Sequence, residues 1–236
     1  MGLLEVIGLT LLAALALPVG GLAALGVRRT PRDGSGDSAL RTLVAAGGGL
    51  LLAAVALVLV PEGLAGLGLA PAVACLFAGA LLMLLLDRAM ERRGDRASQV
   101  MASALDSVPE SLGLGAAFAA GGHVGPVLVA LIALQNLPEG FNGYRELHGA
   151  GLSRGGAVGV LAFASLLDPL AAAAGFLWLG AFPAVVAGLF LAAAGGILYI
   201  LVQDIAPLAH KDGHWAPALG AVFGFALGIV ADAVVG

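Results

Sequence analysis

Charged and aromatic side chains are scarce in this chain. Of its 236 residues, 11% are charged and 6% are aromatic, whereas 60% are hydrophobic and 37 are glycine. Soluble domains carry roughly one quarter charged residues. This composition therefore excludes an ordinary soluble protein and predicts one whose main partner is the lipid bilayer. With 11 basic residues and a net charge of −4, nothing indicates a nucleic-acid partner.

Cysteine is nearly absent as well. The one cysteine, Cys75, lies inside an apolar run, which excludes an intramolecular disulfide and a thiolate metal cluster. A nucleotide-binding loop of the G-x-x-x-x-G-K type is also lacking, and no serine, cysteine or histidine pairs with an evident base in an apolar run. We therefore expect the protein not to be an enzyme and not to use ATP.

Long apolar runs dominate the chain. Each run is close to the ~20 residues that a helix needs to cross about 30 Å of hydrocarbon. We predict an all-α polytopic membrane protein with eight transmembrane helices in a single transmembrane domain, residues 1–236. The first run carries Glu5 and lacks a basic leader, so we interpret it as a retained helix rather than a signal peptide. The runs cover 3–26, 40–60, 68–86, 100–121, 124–143, 155–178, 183–205 and 215–235.

The basic residues are all on one side of this arrangement. Every one falls in or beside the loops that follow helices 1, 3, 5 and 7. Because basic loops stay in the cytoplasm, we predict a multi-pass protein of the cell membrane with both termini outside. The basic residues are Arg28, Arg29, Arg32, Arg41, Arg88, Arg92, Arg93, Arg96, Arg145, Arg154 and Lys211.

Besides Glu5, Asp204 and Asp232 near the ends of their runs, four acidic residues lie deeper within the apolar runs, namely Asp106, Glu110, Glu139 and Asp168. A charged side chain at bilayer depth costs several kcal/mol unless it is satisfied. No lysine or arginine remains at membrane depth to neutralise these acids. Either most of them are protonated and hydrogen-bonded in helix packing, or a cation occupies the site, and the clustering favours the cation.

Two of the runs carry their polar residues at helical spacing. Asp106 and Glu110 are four residues apart, as are Gln135 and Glu139. Residues at this spacing share one helix face. Each helix therefore presents two oxygen-bearing groups on one side, and each pair is half of a binding site.

Each acidic motif also contains a proline. Pro109 and Pro138 have no backbone N–H, so both helices are expected to open locally and free a carbonyl oxygen beside the acids. Asp168 and Pro169 repeat the arrangement in the sixth run. A proline alone in a membrane helix indicates only a kink, but here each proline adjoins an acid.

These motifs resemble those of the ZIP family of divalent metal transporters. Segment 104–111 reads A-L-D-S-V-P-E-S, segment 133–140 reads A-L-Q-N-L-P-E-G, and segment 167–170 reads L-D-P-L. The family carries H-N-x-P-E-G and [HQ]-[ND]-x-P-E-G on helices 4 and 5 and E-P-L on helix 6. The eight-helix plan matches too.

The resemblance implies a two-metal centre and an elevator mechanism. Helices 1, 4, 5 and 6 would form a transport bundle that slides against a scaffold of helices 2, 3, 7 and 8, and the scaffold often supplies a homodimer interface. The cargo would be a divalent metal ion, zinc first and then Cd, Mn or Fe, moved into the cytoplasm. The first implied site contains Asp106, Glu110, Gln135 and Glu139, and the second contains Ser107, Asn136 and Asp168 with the shared Glu110 and Glu139.

The chain departs from the family pattern at four positions. Asp106 replaces the helix 4 histidine, Ser107 the asparagine after it, Ser111 the motif glycine, and Asp168 the helix 6 glutamate. These changes leave open a degenerate member that binds metal without transporting it. A proton-coupled carrier of an organic cation is the other alternative, although such a site would want an aromatic cage.

Overall fold

The computed structural model describes residues 1–26, 35–93, 98–121, 124–207 and 215–235, with their side chains except at 35–37, 90–93, 98–106 and 204. Within these ranges the chain is helical and contains no strand. Seven helical segments of the described chain are long and apolar enough to cross a membrane. The eighth predicted run is also one continuous helix, Ser98–Ala120. The prediction of an all-α polytopic membrane protein is confirmed.

The helix bounds agree closely with the apolar runs, and we number the spans 1 to 8 accordingly. Span 1 is α1 with α2, span 2 is α3 with α4, spans 3 to 5 are α5 to α7, span 6 is α8 with α9, and spans 7 and 8 are α10 and α11. In the described residues, π-helical turns at Val55–Leu59, Gly175–Leu179 and Leu201–Ile205 join α3 to α4 and extend α9 and α10. The helices are α1 Leu3–Ala14, α2 Ala16–Gly26, α3 Ser35–Ala54, α4 Val60–Gly66, α5 Leu69–Arg93, α6 Ser98–Ala120, α7 Val124–Gly149, α8 Arg154–Ala164, α9 Leu167–Ala174, α10 Pro183–Ile200 and α11 Trp215–Val235.

Spans 1 and 6 are interrupted where a proline withholds a backbone donor. Span 1 breaks at Leu15, and Pro18 has no N–H for the carbonyl of Ala14, four residues earlier. Span 6 breaks between α8 and α9, where Pro169 likewise leaves the carbonyl of Ser165 without its helical donor. Both breaks lie near the middle of the membrane-spanning segment.

The prolines of spans 4 and 5 behave differently from the expectation of a local opening. Pro109 lies inside α6 and Pro138 inside α7, and both helices continue without a break. A proline removes one hydrogen bond, and packing against neighbouring helices holds the rest of the helix together. The freed carbonyls therefore do not come from a broken helix in these two spans.

Four pairs of spans pack backbone to backbone through glycine. In each pair, a Cβ atom added to a glycine on either helix would collide with a backbone carbonyl of the other helix. Small residues at such contacts let membrane helices approach closely. The reciprocal contacts pair span 1 with span 5, span 4 with span 6, span 3 with span 7, and span 2 with span 8. They are Gly20 on Leu137 and Gly140 on Leu17, Gly115 on Ala172 and Gly175 on Leu112, Gly79 on Ala192 and Gly195 on Leu76, and Gly49 on Ala221 and Gly224 on Ala46.

We expect Gly140→Ala to destabilise the protein by about 1–3 kcal/mol, because its methyl group would press on the Leu17 carbonyl and force spans 1 and 5 apart. Gly159→Ala is the matched control, since nothing lies within 4 Å of a Cβ at that position of α8. Thermal unfolding in detergent checks both variants. Equal melting temperatures for the two would contradict the close approach.

The main apolar core lies toward one end of the bundle, the end away from the basic loops. Its buried members include Leu59, Leu114, Leu128, Leu131 and Phe190, which come from spans 2, 4, 5 and 7. A smaller buried cluster, around Tyr144, Leu147 and Leu161, lies at the basic end between α2, α7 and α8. The two ends of the bundle are therefore packed unequally.

Candidate metal site

Spans 4 and 5 bring their acidic motifs together. The side-chain amide of Gln135 donates from Nε2 to Oε2 of Glu110 across 3.0 Å. Both residues are only 4% exposed. Because the helices run in opposite directions, Glu110 of one motif lies level with Gln135 of the other. Glu110 and Gln135 therefore belong to one polar centre inside the bundle.

This hydrogen bond engages the amide nitrogen of Gln135 but not its amide oxygen. Its nitrogen donates to Glu110, while Oε1 has no hydrogen-bond partner in the described part of the chain. Leaving such an oxygen buried and unsatisfied costs about 1–3 kcal/mol. Amide oxygens are ordinary ligands of hard divalent cations. The atom is therefore placed where a bound cation would satisfy it.

Span 6 supplies a second acid to the same centre. Asp168, in the first turn of α9, is 3% exposed and lies beside the hydroxyl groups of Ser107 and Ser111 on α6. Its Oδ1 and the Ser111 Oγ nevertheless have no partner of hydrogen-bonding geometry in the described chain. Two further buried oxygens of the centre are thus left without a well-formed hydrogen bond in the described chain.

Span 1 is tied to the centre by a backbone contact. The Asn136 side chain donates from Nδ2 to the carbonyl oxygen of Ala13 across 3.3 Å. Ala13 lies two residues before the break at Leu15. Sequence reasoning missed this contact, although Pro18 was the available signal for the break. With the nitrogen engaged, the oxygen is the atom of Asn136 that offers ligand chemistry.

Glu139 completes the group from span 5. Its side chain is half-buried, and its carboxylate is within electrostatic range of Asp168, Glu110 and Glu146. Like charges held in a dry interior repel strongly. The three acids of spans 4, 5 and 6 therefore need either protons or a cation between them.

The other predicted site residues are placed less completely. Ser107 is half-buried beside Asp168. The backbone of Asp106 lies in α6 one turn before Glu110, but its side chain lies outside the described residues. Ser111, which stands in place of the motif glycine, is almost fully buried and was not expected to be a site residue.

The donor set is rich in oxygen and is not a ready-made acidic cage. Among the described side chains, no three His, Cys, Asp or Glu groups lie close enough together to hold a metal ion by themselves. A bound ion would need the Gln135 amide and the serine hydroxyls in addition to the carboxylates. Oxygen donors of this kind suit harder cations than zinc sites with nitrogen or sulfur ligands do.

A cavity of about 300 Å³ lies on the side of this centre away from the basic loops, between spans 2, 4 and 7. Glu62 is the one ionisable group among the described residues that line it. Phe190 also lines the cavity, is 3% exposed, and packs against Gly113, one turn beyond Glu110. The Phe190 ring therefore lies both at the cavity and against the turn of α6 that follows Glu110.

A search of protein-family models found no match to this chain, and a search of curated proteins found none either.

Proposed function

We propose that this protein is a carrier of divalent metal ions, similar to the ZIP family, that moves its cargo into the cytoplasm. One observation carries the proposal. Two buried acceptor oxygens, Gln135 Oε1 and Asp168 Oδ1, lack a hydrogen bond of good geometry in the described chain, and they lie with the Ser111 hydroxyl among the carboxylates of Glu110 and Glu139. A divalent cation would satisfy the oxygens and neutralise the acids together.

The charge balance favours a doubly charged ion over protons alone. Protonation would remove the repulsion between the acids and would give each carboxyl group one donor, whereas a single divalent ion neutralises two charges at once. A cation with six or more oxygen ligands accepts electron pairs from all of them. Zinc, cadmium, manganese and iron(II) are the ions we propose as cargo.

The glycine contacts support a division into two bundles. Spans 1, 4, 5 and 6 carry every proposed metal ligand, and reciprocal glycines pair them as 1 with 5 and 4 with 6. Spans 2, 3, 7 and 8 are paired in the same way. Contacts between the groups are of another kind, such as the Pro138 ring against Gly47, 3.0 Å from a Cβ built there, and Phe190 against Gly113. Close backbone contacts within each group, with side-chain contacts between the groups, suit a transport bundle that slides on a scaffold.

The proposed direction of transport follows from the loops and the cavity. The basic loops would lie in the cytoplasm. The cavity beside Glu62 would then open to the outside, and its carboxylate would attract cations toward the entrance. Metal would pass from there to the centre when the transport bundle moves relative to Phe190.

Uptake by the purified protein in proteoliposomes tests the proposal. We expect Zn²⁺, Cd²⁺, Mn²⁺ and Fe²⁺ to enter faster than into empty liposomes, and Mg²⁺ to enter little, because it dehydrates reluctantly. Tight metal binding without uptake would instead support a degenerate member of the family. Uptake of a tetraalkylammonium ion but of no metal would support a carrier of organic cations.

Acidification is expected to weaken metal binding. The metal-bound state needs deprotonated carboxylates, so protons compete with the ion and are released when it binds. The acids act as a coupled set, and affinity should fall by up to about tenfold per pH unit for each proton displaced. Calorimetry in buffers of different ionisation enthalpy checks this. Binding without proton release would contradict it.

A further inference from the structure

One face of α7 is apolar on one side of the acidic centre and polar on the other. Gln135, Glu139, Asn142 and Glu146 recur at intervals of four, three and four residues, so they share a face. The last two are half-buried, and they continue the polar row toward the basic end of the bundle. Neither residue belongs to the implied metal sites.

On the other side of the centre, the same face of α7 carries buried apolar side chains. Leu128, Leu131 and Ile132 stand seven, four and three residues before Gln135 and are 0%, 0% and 2% exposed. Across the bundle, Phe190 closes over Gly113. The centre is therefore bounded by packed apolar side chains on the outer side and by polar, partly accessible ones on the basic side.

Contacts link the polar row to the centre. The Glu146 carboxylate lies within electrostatic range of Glu139, although the helix rise of 1.5 Å per residue separates their backbones by about 10 Å. The Asn142 side chain donates from Nδ2 to Oε1 of Glu146 across 2.7 Å, which holds that carboxylate beside the row. At the head of the row, the unpartnered and buried Gln135 Oε1 independently marks a place for a cation.

We infer that Asn142 and Glu146 form the release path for the cation between the acidic centre and the basic side of the membrane. This inference rests on the proposed function. An ion that leaves Glu139 loses the attraction of the centre before water fully solvates it. The charge of Glu146, two turns further along, lowers the energy of the ion at that point. Glu146 therefore governs the rate of passage, whereas the centre governs affinity.

The test compares Glu146→Gln with wild type in two measurements that use Zn²⁺ as the probe. The amide oxygen of the new side chain can still accept from Asn142, so only the charge is removed. We expect the Zn²⁺ dissociation constant of the solubilised protein to stay within about threefold of wild type. The initial uptake rate in proteoliposomes should fall about tenfold, a rise of about 1.4 kcal/mol in the barrier. Glu146→Asp, which keeps the charge, should restore most of the rate.

Asp232→Asn is the matched control, because it removes a half-buried carboxylate from span 8, which supplies no proposed ligand. Its uptake rate should equal that of wild type. A Glu146→Gln protein with the wild-type uptake rate, or with binding lost as completely as in Glu139→Gln, would overturn the release path and leave the proposed function standing. A wild-type protein that neither binds nor takes up Zn²⁺ would overturn both.

Thiol labelling tests the path without depending on transport. In a Cys75→Ala background, Asn142→Cys should react with a membrane-impermeant maleimide added from the basic side, and bound Zn²⁺ should slow the reaction. Leu131→Cys, on the sealed part of the same face, should stay unreactive. Equal reactivity at the two positions would contradict the asymmetry of the face.

Discussion

Glu110→Gln and Glu139→Gln should each abolish metal uptake, with binding weakened by more than about 100-fold, or about 2.8 kcal/mol. Both carboxylates face the same centre from opposite helices, and each motif retains one of them. Replacing either with an amide keeps the side-chain volume but removes a negative charge that balances the ion. Calorimetric titration with Zn²⁺ and proteoliposome uptake measure the two losses.

Folding should survive both changes. A glutamine at position 110 can still accept the hydrogen bond from Gln135, and loss of a buried charge removes a desolvation cost. We therefore expect melting temperatures in detergent equal to or above that of wild type. Glu5→Gln is the control, because Glu5 is exposed and its carboxylate accepts from the backbone of Gly2 at the start of α1. Wild-type uptake by both site variants would end the assignment of the centre as a transport site.

The second prediction concerns the choice of metal. The resemblance to the ZIP family favours zinc as the cargo, but the donor atoms here are the oxygens of carboxylates, amides and hydroxyls. By the Irving–Williams order, such a site still prefers Zn²⁺ to Mn²⁺ or Fe²⁺, and the preference grows when nitrogen ligands are present. The wild-type protein should therefore accept Zn²⁺ and Cd²⁺ while Mn²⁺ and Fe²⁺ compete well.

Asp106→His should move the selectivity toward zinc by about 30-fold, or about 2 kcal/mol. The substitution places histidine, which the ZIP helix 4 motif carries at this position, one turn before Glu110. It thereby adds an imidazole ligand. Competition between ⁶⁵Zn²⁺ and unlabelled Mn²⁺ in proteoliposomes measures the ratio. Asp232→His adds an imidazole away from the centre and should leave the ratio unchanged. An unchanged ratio in Asp106→His itself would show that position 106 does not contact the ion.

Run length accounts for the positions of the spans, and helical spacing accounts for which polar residues of one helix share a face. Run length placed the eight spans to within a few residues at most ends, because a helix in lipid satisfies its own backbone and must cover a fixed thickness. The main departures are helices that continue past their predicted ends: α4 to Gly66 rather than 60, α5 to Arg93 rather than 86, and α7 to Gly149 rather than 143. The extension of α7 bears on the site. Its final turns mix polar and buried apolar residues, so hydropathy falls while helical packing against α2 and α8 continues.

Helical spacing also predicted which polar side chains of the motifs share a helix face. The pairs 106 with 110 and 135 with 139 follow from the period of the helix alone. The same rule extends the row to Asn142 and Glu146, but the predicted run ends at 143, before Glu146. The effect of the prolines was less predictable, because Pro18 and Pro169 accompany breaks whereas Pro109 and Pro138 do not.

The meeting of separate helices lies beyond such rules. Gln135 bonds to Glu110 across 25 positions of the chain, and Asn136 bonds to Ala13 across 123. Helix period states which residues share a face, and it says nothing about which faces meet. In lipid that choice depends on how closely two backbones approach, since apolar side chains gain little by leaving lipid for another helix. Here, glycine-to-carbonyl contacts determine the pairing of span 1 with span 5 and of span 4 with span 6, and the hydrogen bond between Gln135 and Glu110 links the two pairs at the acidic centre.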